Sequence, residues 1–261
     1  MAESQSLDRG LTILALLDAS PEPVGIREIA RQLDLSPAIV QRLVNTLMAH
    51  NYVERNVTTR RYSIGYGALG LGNSLLRHDK LITTAYSVLQ ILATRHELNG
   101  YLGALRGARA LYLLSVQSTG PVAIRSLPGE FAYLHSTAMG KVLLASLTDE
   151  EAAERLGPGP LPKLAAKTMT DPARVIGQLK GIRRSGYSVV VEENLPGVVS
   201  IGAPVRNLTS QVVAAISAAF TERSSPHLTT EKVIPIVCAA ANQVSLALGW
   251  SDATPTRVSH G

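Results

Sequence analysis

Three short helical patterns, separated by helix-breaking turns, restrict the fold of this chain more than any other feature of its sequence. Apolar residues recur at helical spacing over Leu7–Leu17, over Ile26–Leu33 and from about Pro37 to His50. Prolines end the first pattern, and a short turn separates the second from the third. In that turn Ser36 is placed to accept a hydrogen bond from an early amide of the third helix. The spacing therefore predicts three helices, the last two arranged as a helix-turn-helix.

Two short β-like runs follow the third helix. They are Tyr52–Arg55 and Arg61–Ile64, and residues 56–60 between them have the composition of a hairpin tip. Three helices and a hairpin match a winged helix-turn-helix in size and order, and such modules commonly bind DNA. The same pattern also fits a small helical dimerisation or capping unit whose polar face is simply solvated.

The outer face of the third helix carries side chains that suit a DNA major groove. That groove is about 12 Å wide, so a helix lying in it needs small or hydrogen-bonding residues on its exposed side. Glutamine and asparagine can pair with adenine, and arginine with guanine or a phosphate. The hairpin would lie over the DNA backbone or the minor groove. The residues predicted to contact DNA are Ser36, Ala38, Gln41, Arg42, Asn45, Thr58, Thr59, Arg60 and Arg61.

The charge of the chain supports DNA binding only locally. The whole protein has a formal net charge of +5 and a pI near 9.5, which is a weak sign of a polyanionic partner. Residues 41–77 hold five arginines and one glutamate, whereas residues 1–40 hold three arginines and six acidic residues. Because the positive half coincides with the DNA-contacting face, binding should depend on those arginines and weaken as salt is added.

The remainder of the chain predicts a second, α+β domain. Leu69–Glu97 carries an amphipathic stripe and is interpreted as a helical connector. Strands are predicted at Tyr101–Leu105, Ala110–Val116, Val122–Leu127, Tyr187–Val191, Val198–Val205 and Val212–Phe220. Helices are predicted at Ser136–Ser146, Asp149–Leu156, Pro172–Arg184 and from about Thr229 to Leu248. Such a mixture indicates a sheet with helices on its faces. Aromatic residues make up only 4% of the chain, so its core must be aliphatic.

Several classes of protein are excluded or disfavoured by the sequence. The single cysteine, Cys238, excludes a disulfide framework and a thiolate metal cluster. The first residues lack the basic start of a secretory peptide, and the apolar run Leu11–Leu17 is far shorter than the ~20 residues that span a bilayer. No phosphate-binding glycine loop and no G-x-S-x-G nucleophile turn occurs. We expect a soluble, cytoplasmic protein without cofactor, metal or membrane partner.

Eight segments, in the same order along nearly the whole chain, resemble the IclR family of bacterial transcription regulators. They are Leu7–Leu14, Ile29–Ser36, Arg42–Leu47, Arg61–Gly65, Leu134–Lys141, Gly186–Glu193, Gly202–Val205 and Ala214–Ser217. The resemblance implies an N-terminal winged helix-turn-helix and a C-terminal GAF-like α/β effector-binding domain, joined by the helical connector. It also implies homodimers, often paired into tetramers, that act on operators near metabolic genes.

The resemblance divides the chain into four parts. Residues 1–68 are the expected DNA-binding domain, 69–97 the connector, 98–250 the effector-binding domain and 251–261 a disordered tail. The expected function is therefore regulation of catabolic genes by a small carboxylate, without catalysis.

The segment Leu134–Lys141 is the centre of the expected effector pocket. Ser136 or Thr137 can cap a helix here, and the amides of a helix N-terminus attract anions such as a carboxylate. The positions that match the pocket of family members, with two looser additions upstream, are Ile124, Phe131, Ala138, Met139, Gly140, Val190, Val198, Ser200, Ser217 and Ala219.

Two positions depart from family members that bind small oxo-acids. Val190 stands where an aspartate is frequent, and Ala219 where a second serine can occur. Both changes remove hydrogen-bonding groups, so a larger effector is expected, such as an aromatic or fatty carboxylate. The alternative is that Val190 is an ordinary core residue.

Charged and titratable residues near this segment leave a second class of function open. We expect Lys141 to face solvent or to form a structural ion pair, His135 to be a hydrogen-bonded structural histidine, and Glu192–Asn194 to be a solvated strand end. The alternative function is a cytoplasmic small-acid enzyme with a helical cap, in which His135 and Glu192 act on the substrate.

Overall fold

The computed structural model describes residues 4–251 of the chain. Contacts between residues divide the chain into two compact units, Met1–Asp79 and Lys80–Gly261. The tail expected over residues 251–261 lies, apart from Ser251, outside the described residues. Within those residues no helix combines the length and the apolar character needed to cross a lipid bilayer.

The first unit contains the three predicted helices and the hairpin. The elements are α1 (Gln5–Ala19), α2 (Ile26–Gln32), α3 (Pro37–Ala49), β1 (Val53–Arg55) and β2 (Tyr62–Ile64), with the two strands antiparallel. Tyr62 also exchanges two hydrogen bonds of 2.8 Å with Val24, on the segment before α2. Ile13, Ile29 and Val40 are fully buried where the helices meet. The arrangement confirms a winged helix-turn-helix.

Helix α4 (Gly67–His78) completes the first unit and has no buried residue. Four of its leucines are between 45% and 62% exposed, namely Leu69, Leu71, Leu75 and Leu76. Exposed apolar residues grouped on one element commonly mark a surface for a partner. Helix α4 is the first half of the predicted connector.

The second unit is a six-stranded antiparallel sheet with helices on both faces. Its elements are α5 (Lys80–Arg95), β3 (Asn99–Arg106), β4 (Arg109–Val116), β5 (Phe131–Ala132), α6 (Ala138–Ala145), α7 (Asp149–Leu156), α8 (Pro172–Ser185), β6 (Ser188–Val191), β7 (Val199–Arg206), β8 (Val212–Phe220) and α9 (Thr230–Ala247). The strand order is β5-β4-β3-β8-β7-β6. Helices α5 and α9 pack on one face, and α6, α7 and α8 pack on the other. This confirms the α+β expectation.

Helix α5, the second half of the predicted connector, is a core element of the second unit. Its residues Ala85, Leu89 and Leu92 are buried against the sheet and α9. The amphipathic stripe that suggested a connector is thus the face by which α5 covers the sheet. The chain passes between the two units at Asp79 and Lys80.

The strand predicted over Val122–Leu127 is wrong, because this segment is held by side chains and not by a strand ladder. The buried Asn99 donates from Nδ2 to the carbonyl of Val122 at 3.0 Å, and its Oδ1 accepts from the amide of Ile124 at 3.1 Å. The Tyr101 hydroxyl donates to the carbonyl of Ile124. Backbone groups that would pair in a strand are therefore used by two side chains of β3.

Candidate functional site

The start of α3 is fixed by the predicted cap. Ser36 Oγ accepts a hydrogen bond from the amide of Ile39 at 3.3 Å, and Pro37 occupies the first turn. Val40 and Val44 point into the core with no exposed surface. This orientation leaves Ala38, Arg42 and Asn45 exposed on the outer face of the helix. The outer face of α3 therefore presents a small residue, a cation and an amide.

Gln41 is held more firmly than the sequence indicates. Its Nε2 donates to Asn45 Oδ1 at 2.9 Å and lies 3.4 Å from the Tyr62 hydroxyl, on β2 of the hairpin. The side chain is half-buried as a result. These hydrogen bonds join the side-chain amides of Gln41 and Asn45, both predicted to contact DNA, to each other and to the hairpin. The two amides are therefore held together on one surface.

The hairpin tip is ordered by Asn56. Its Oδ1 accepts from the amides of Thr58 and Thr59 at 3.0 and 2.9 Å, which is an Asx-type turn. Arg60 follows in the left-handed region, with a φ of 55°. Thr58, Thr59 and Arg60 are exposed at the tip, where a nucleic acid could contact them.

Arg61 contacts the segment before α2, and its predicted contact with DNA stays a prediction. Its Nη1 donates to the carbonyl of Pro23 at 3.0 Å and lies 3.5 Å from Glu28 Oε2. The guanidinium is thus directed towards the segment before α2 and not along the hairpin tip. Because the residue is half-exposed and the ion pair is long, this contact is weak in energy.

The second unit contains a small cavity of about 40 Å³ between α6 and the sheet. The lining residues are Tyr101, Tyr112, Ile124, Ser126, Thr137, Ala138, Met139, Val190, Asn194, Leu195, Val198, Ser200, Ser217 and Ala219.

Close packing of α6 on the sheet depends on a glycine. A Cβ on Gly202 would lie 2.8 Å from the backbone of Ala138, whereas one on Gly103 would meet the flexible thioether of Met139. Gly202 is therefore the glycine that this approach needs.

Eight of the ten predicted effector-pocket residues come together in this cavity. They are Ile124, Ala138, Met139, Val190, Val198, Ser200, Ser217 and Ala219. Val190 is one of them and is only 2% exposed, so the structure is compatible with both the pocket role and the core role expected for it. That these residues bind an effector stays a prediction.

Phe131 and Gly140 do not line the cavity, contrary to expectation. Phe131 is half-exposed on β5, because alternation along the strand directs Ala132 inward in its place. Gly140 faces the segment before α6, where a Cβ would lie 2.6 Å from the backbone of Leu134. Gly140 therefore permits the close approach of α6 to the preceding segment at Leu134, and not the approach of a ligand.

The cavity lining that sequence reasoning missed comes from strand pairing and from irregular segments. Tyr101 on β3 lies opposite Ser217 on β8, and this register is not visible in the sequence. Tyr112, Ser126, Thr137, Asn194 and Leu195 complete the missed set. The only available signal was Thr137, which the helix-cap pattern placed next to Ala138.

The cavity offers neutral hydrogen-bonding groups and no charged side chain among the lining residues that the structure describes. The rings of Tyr101 and Tyr112 lie 5.5 Å apart. Burial raises the pKa of both phenols, so each remains a neutral hydroxyl near pH 7. Serine and threonine hydroxyls and the Asn194 amide surround them. Such a lining can orient a polar ligand but does not neutralise its charge.

Helix α6 supplies the positive end that a charged ligand needs. Thr137 caps the helix, and its Oγ1 accepts from the amide of Gly140 at 3.0 Å. Ala138 and Met139, whose amides belong to the first turn, both line the cavity. A helix N-terminus carries about half a positive charge, so a carboxylate placed there is stabilised.

The loop formed by residues 192–198 is one wall of the cavity, and we call it the pocket loop. Lys141, which is 2% exposed, donates from Nζ to Glu193 Oε1 at 2.6 Å and to Gln178 Oε1 at 3.0 Å. Lys141 therefore forms the expected ion pair, but in the interior. The expectation that Glu193 is solvated is wrong, because its side chain is only 13% exposed.

The residues of the alternative enzyme do not form a site. His135 Nε2 lies 2.9 Å from the carbonyl of Pro162, and burial, with a smaller contribution from Lys141, holds the pKa of the imidazole below its ordinary value. Glu192 is half-exposed and pairs with Lys167 at 3.4 Å. Neither side chain lines the cavity. Among residues 4–251, histidine, cysteine and acidic side chains form no cluster of three that could hold a metal ion.

A larger groove of about 530 Å³ lies at the other end of α6. Its arginines are already engaged. Arg183 donates to the carbonyls of Ala145 and Leu147 and pairs with Asp149 at 2.7 Å, and Arg206 donates to the carbonyl of Ser210. With its cations occupied, this groove is a weaker candidate for a ligand site than the cavity.

Two family descriptions match the chain. The IclR helix-turn-helix domain matches residues 6–57, and the bacterial transcriptional regulator IclR C-terminal domain matches residues 73–246. The HTH-type transcriptional regulator BhcR of Paracoccus denitrificans is 32% identical over 213 residues, which are 82% of this chain and 76% of BhcR.

Solved structures show the same fold. The crystal structure of Thermotoga maritima IclR matches with a TM-score of 0.76 at 26% identity, over 94% of this chain and 99% of that one. An IclR homologue from Microbacterium hydrocarbonoxydans, complexed with 4-hydroxybenzoate, matches with a TM-score of 0.78 at 20% identity, over 94% and 99% of the two chains. Because both the N-terminal and the C-terminal part match the corresponding IclR domain, this chain belongs to the IclR family of bacterial transcription regulators.

Proposed function

We propose that this protein is a cytoplasmic, ligand-responsive regulator of catabolic genes, and that its effector is a small carboxylate of aromatic type. The observation that carries the proposal is the cavity at the N-terminus of α6. Its lining brings together a helix N-terminus, neutral hydroxyls and the apolar residues Met139, Val190 and Ala219. A carboxylate suits the helix end, and a ring suits the apolar side. The homologue complexed with 4-hydroxybenzoate supports this class of ligand.

The size of the cavity implies that a ligand must enlarge it. A volume of about 40 Å³ accommodates roughly three water molecules at 10–15 Å³ each, which is less than a benzoate needs. Side chains or the pocket loop must therefore move when the effector binds. A ligand that favours one conformation in this way can shift a regulator between two states.

The effector proposal is tested by titration calorimetry with 4-hydroxybenzoate, benzoate, glyoxylate and pyruvate. We expect the aromatic acids to bind more tightly than the two small acids. Val190→Asp should weaken binding of the aromatic acids, because it places a carboxylate in the cavity beside theirs. The matched control is Val191→Asp, a half-exposed neighbour on β6 that does not line the cavity. Tight binding of glyoxylate or pyruvate without aromatic-acid binding would contradict the proposal.

We further propose that α3 and the hairpin tip contact operator DNA. The supporting observations are the exposed face of Ala38, Arg42 and Asn45 and the ordered tip carrying Arg60. In this proposal Arg42 contacts base edges and Arg60 contacts phosphate.

Fluorescence anisotropy with DNA from the region upstream of the protein's own gene tests this. Arg42→Ala should weaken specific binding, and Arg60→Ala should lower the slope of log K against log salt by about 1. Arg174→Ala, an exposed change on α8, is the charge-matched control and should leave binding unchanged. Binding that is weak and equal in all three variants would favour the enzyme alternative.

A further inference from the structure

We propose that Lys141 and Glu193 are positioning residues for the pocket loop: their buried ion pair holds the loop closed over the cavity and sets how often it opens. The inference rests on the proposed function only in treating the cavity as the effector site. It assigns a role to two charged residues that do not line the cavity.

The pocket loop separates the cavity from solvent. Asn194, Leu195 and Val198 line the cavity, while Leu195 is also 44% exposed on the outside. A ligand that enters or leaves by this wall must displace the loop. The loop is therefore a natural place to control access.

The geometry of the pocket loop allows it to move as a unit. Its two ends are joined by a hydrogen bond of 2.8 Å from the amide of Glu192 to the carbonyl of Val198. Both bends use the left-handed region, with a φ of 57° at Glu192 and 74° at Gly197. The hydrogen bond between the loop ends and the two bends leave residues 193–197 as a compact excursion from the sheet. Bends of one or a few residues commonly act as hinges for loop motion.

Among the described residues, three side-chain hydrogen bonds hold residues 193 and 194 against the rest of the unit, and Glu192 at the end of the loop adds an exposed ion pair with Lys167. Lys141 Nζ donates to Glu193 Oε1 at 2.6 Å, Thr168 Oγ1 donates to the carbonyl of Glu193 at 2.6 Å, and Ser136 Oγ donates to Asn194 Oδ1 at 3.1 Å. Two of the three converge on Glu193. Lys141 makes the only contact of the three that involves two charges.

The ion pair between Lys141 and Glu193 is expected to be either fully formed or fully separated. Lys141 is buried, so its charge needs Glu193 as a partner, and the second carboxylate oxygen, Oε2, is buried without a hydrogen bond among the described residues. An open loop would return Glu193 to water but leave the Lys141 charge with Gln178 alone. Because intermediate positions satisfy neither group, the loop has a closed and an open state.

The ion pair is also close to the place where the ligand is expected. Lys141 lies on α6 one turn after Thr137 and Ala138, which line the cavity. A carboxylate at the start of α6 therefore lies near the cation that holds the loop. Ligand binding and loop closure are coupled through this one helix.

The first test uses hydrogen exchange of the ligand-free full-length protein, read by mass spectrometry. Glu193→Gln should raise exchange of amides in residues 193–198 by about tenfold or more, since it removes the charge that holds the loop. Glu192→Gln is the matched control, because it removes the neighbouring carboxylate of an exposed ion pair with Lys167. Equal exchange in the two variants would overturn the proposal.

A double variant separates positioning of the loop from stability of the fold. Lys141→Met alone leaves a buried carboxylate without its partner, and this variant can fail to fold. In Lys141→Met/Glu193→Gln no unpaired charge remains, so the unfolding midpoint should recover towards that of the wild type. Loop exchange should nevertheless stay raised. If loop exchange and stability recover together, the pair has only a structural role and the proposal is wrong.

The second test measures the rates of ligand binding by surface plasmon resonance with 4-hydroxybenzoate as the probe. Glu193→Gln should raise both the association and the dissociation rate by about tenfold, while Glu192→Gln leaves both unchanged. Unchanged rates in Glu193→Gln would overturn the role in ligand access. If 4-hydroxybenzoate does not bind the wild type, the effector proposal fails, whereas the hydrogen-exchange result still decides whether the pair holds the loop.

Discussion

At the scale of single residues, a glycine determines how closely α6 approaches the sheet. Gly202 on β7 faces the first turn of the helix, and an added Cβ would lie 2.8 Å from the carbonyl carbon and oxygen of Ala138. Backbone atoms cannot move aside as a flexible side chain can. In contrast, Gly177 is exposed in the middle of α8 and has no atom within 4 Å of an added Cβ.

These two glycines give opposite predictions for the same substitution. Gly202→Ala should destabilise the protein by about 1–3 kcal/mol, because it forces α6 away from the sheet. Gly177→Ala should stabilise it by about 1 kcal/mol, since alanine is the better helix former. Urea unfolding followed by circular dichroism measures both. A stable Gly202→Ala variant would show that α6 can shift at little cost.

His135 makes stability depend on pH. Burial holds the pKa of its imidazole below the ordinary value in the folded protein, whereas the unfolded chain keeps a pKa of about 6.5. As pH falls through 6.5 the unfolded state therefore binds a proton first, and stability declines until the pH passes the folded pKa.

His135→Gln should remove this part of the decline, while its amide can still donate to Pro162. The midpoint of urea unfolding at pH 8, 7, 6 and 5.5 is the measurement. Parallel pH profiles for the two proteins would mean that His135 does not titrate differently on unfolding.

The role of a single residue could be predicted from the sequence where its partner lies a few residues away along the chain. Ser36 could be placed at a helix N-terminus, and the cap of α6 could be limited to Ser136 or Thr137, because a cap and its helix are neighbours in sequence. The partnership of Lys141 and Glu193 could not be predicted, since 52 residues separate them. Nothing in a sequence indicates which buried cation meets which buried carboxylate.

At the scale of elements, three helices of the second unit, α6, α7 and α8, begin at side-chain caps. Helix α7 has a complete capping box: Thr148 Oγ1 accepts from the amide of Glu151 at 3.2 Å, and Glu151 Oε2 accepts from the amide of Thr148 at 2.9 Å. This short helix packs on α8, which packs on α6. The cap therefore supports the layer that covers the cavity side of the sheet.

Thr148→Ala should cost about 1 kcal/mol of stability, because two amides of α7 lose or weaken their partners. Thr148→Ser keeps the hydroxyl and should remain close to the wild type. Thermal unfolding by calorimetry compares the two. Equal losses in both variants would show that the threonine methyl, and not the cap, stabilises the helix.

The bounds of helices and strands with strong periodicity were predicted to within a few residues. The prediction failed where side chains take the place of strand-to-strand backbone hydrogen bonds. The strand expected over Val122–Leu127 has the right apolar residues. Asn99 and Tyr101 nevertheless take its backbone groups. Such competition depends on two segments that are more than 20 residues apart, so no local pattern reveals it.

At the scale of the whole molecule, the exposed leucines of α4 suggest how subunits assemble. Leu71 and Leu75 lie four residues apart on one face, and both are more than 60% exposed. Leu7 and Leu11 show the same spacing and a similar exposure on α1. Two such faces in one unit are costly in water, and a second copy of the chain would bury them.

We predict a homodimer that Leu71→Glu/Leu75→Glu converts into monomers, because carboxylates replace the apolar contact. Leu208→Glu, at a position 75% exposed in the second unit, is the control and should not change the mass. Sedimentation velocity gives the mass of each variant. A wild-type monomer would contradict the predicted homodimer, and a dimer that survives both α4 changes would place the interface elsewhere. Operator binding should weaken together with dimerisation, since a regulator with two heads reads two half-sites.

The small volume of the cavity also bears on how the proposed effector is to be found. Docking into a rigid space of about 40 Å³ would disfavour any ligand that binds only after the cavity enlarges. Metabolite mixtures offered to the protein in solution avoid this bias, because the protein is then free to reshape itself around the compound it retains. The shape of the proposed effector is therefore to be read from a complex and not from the ligand-free cavity.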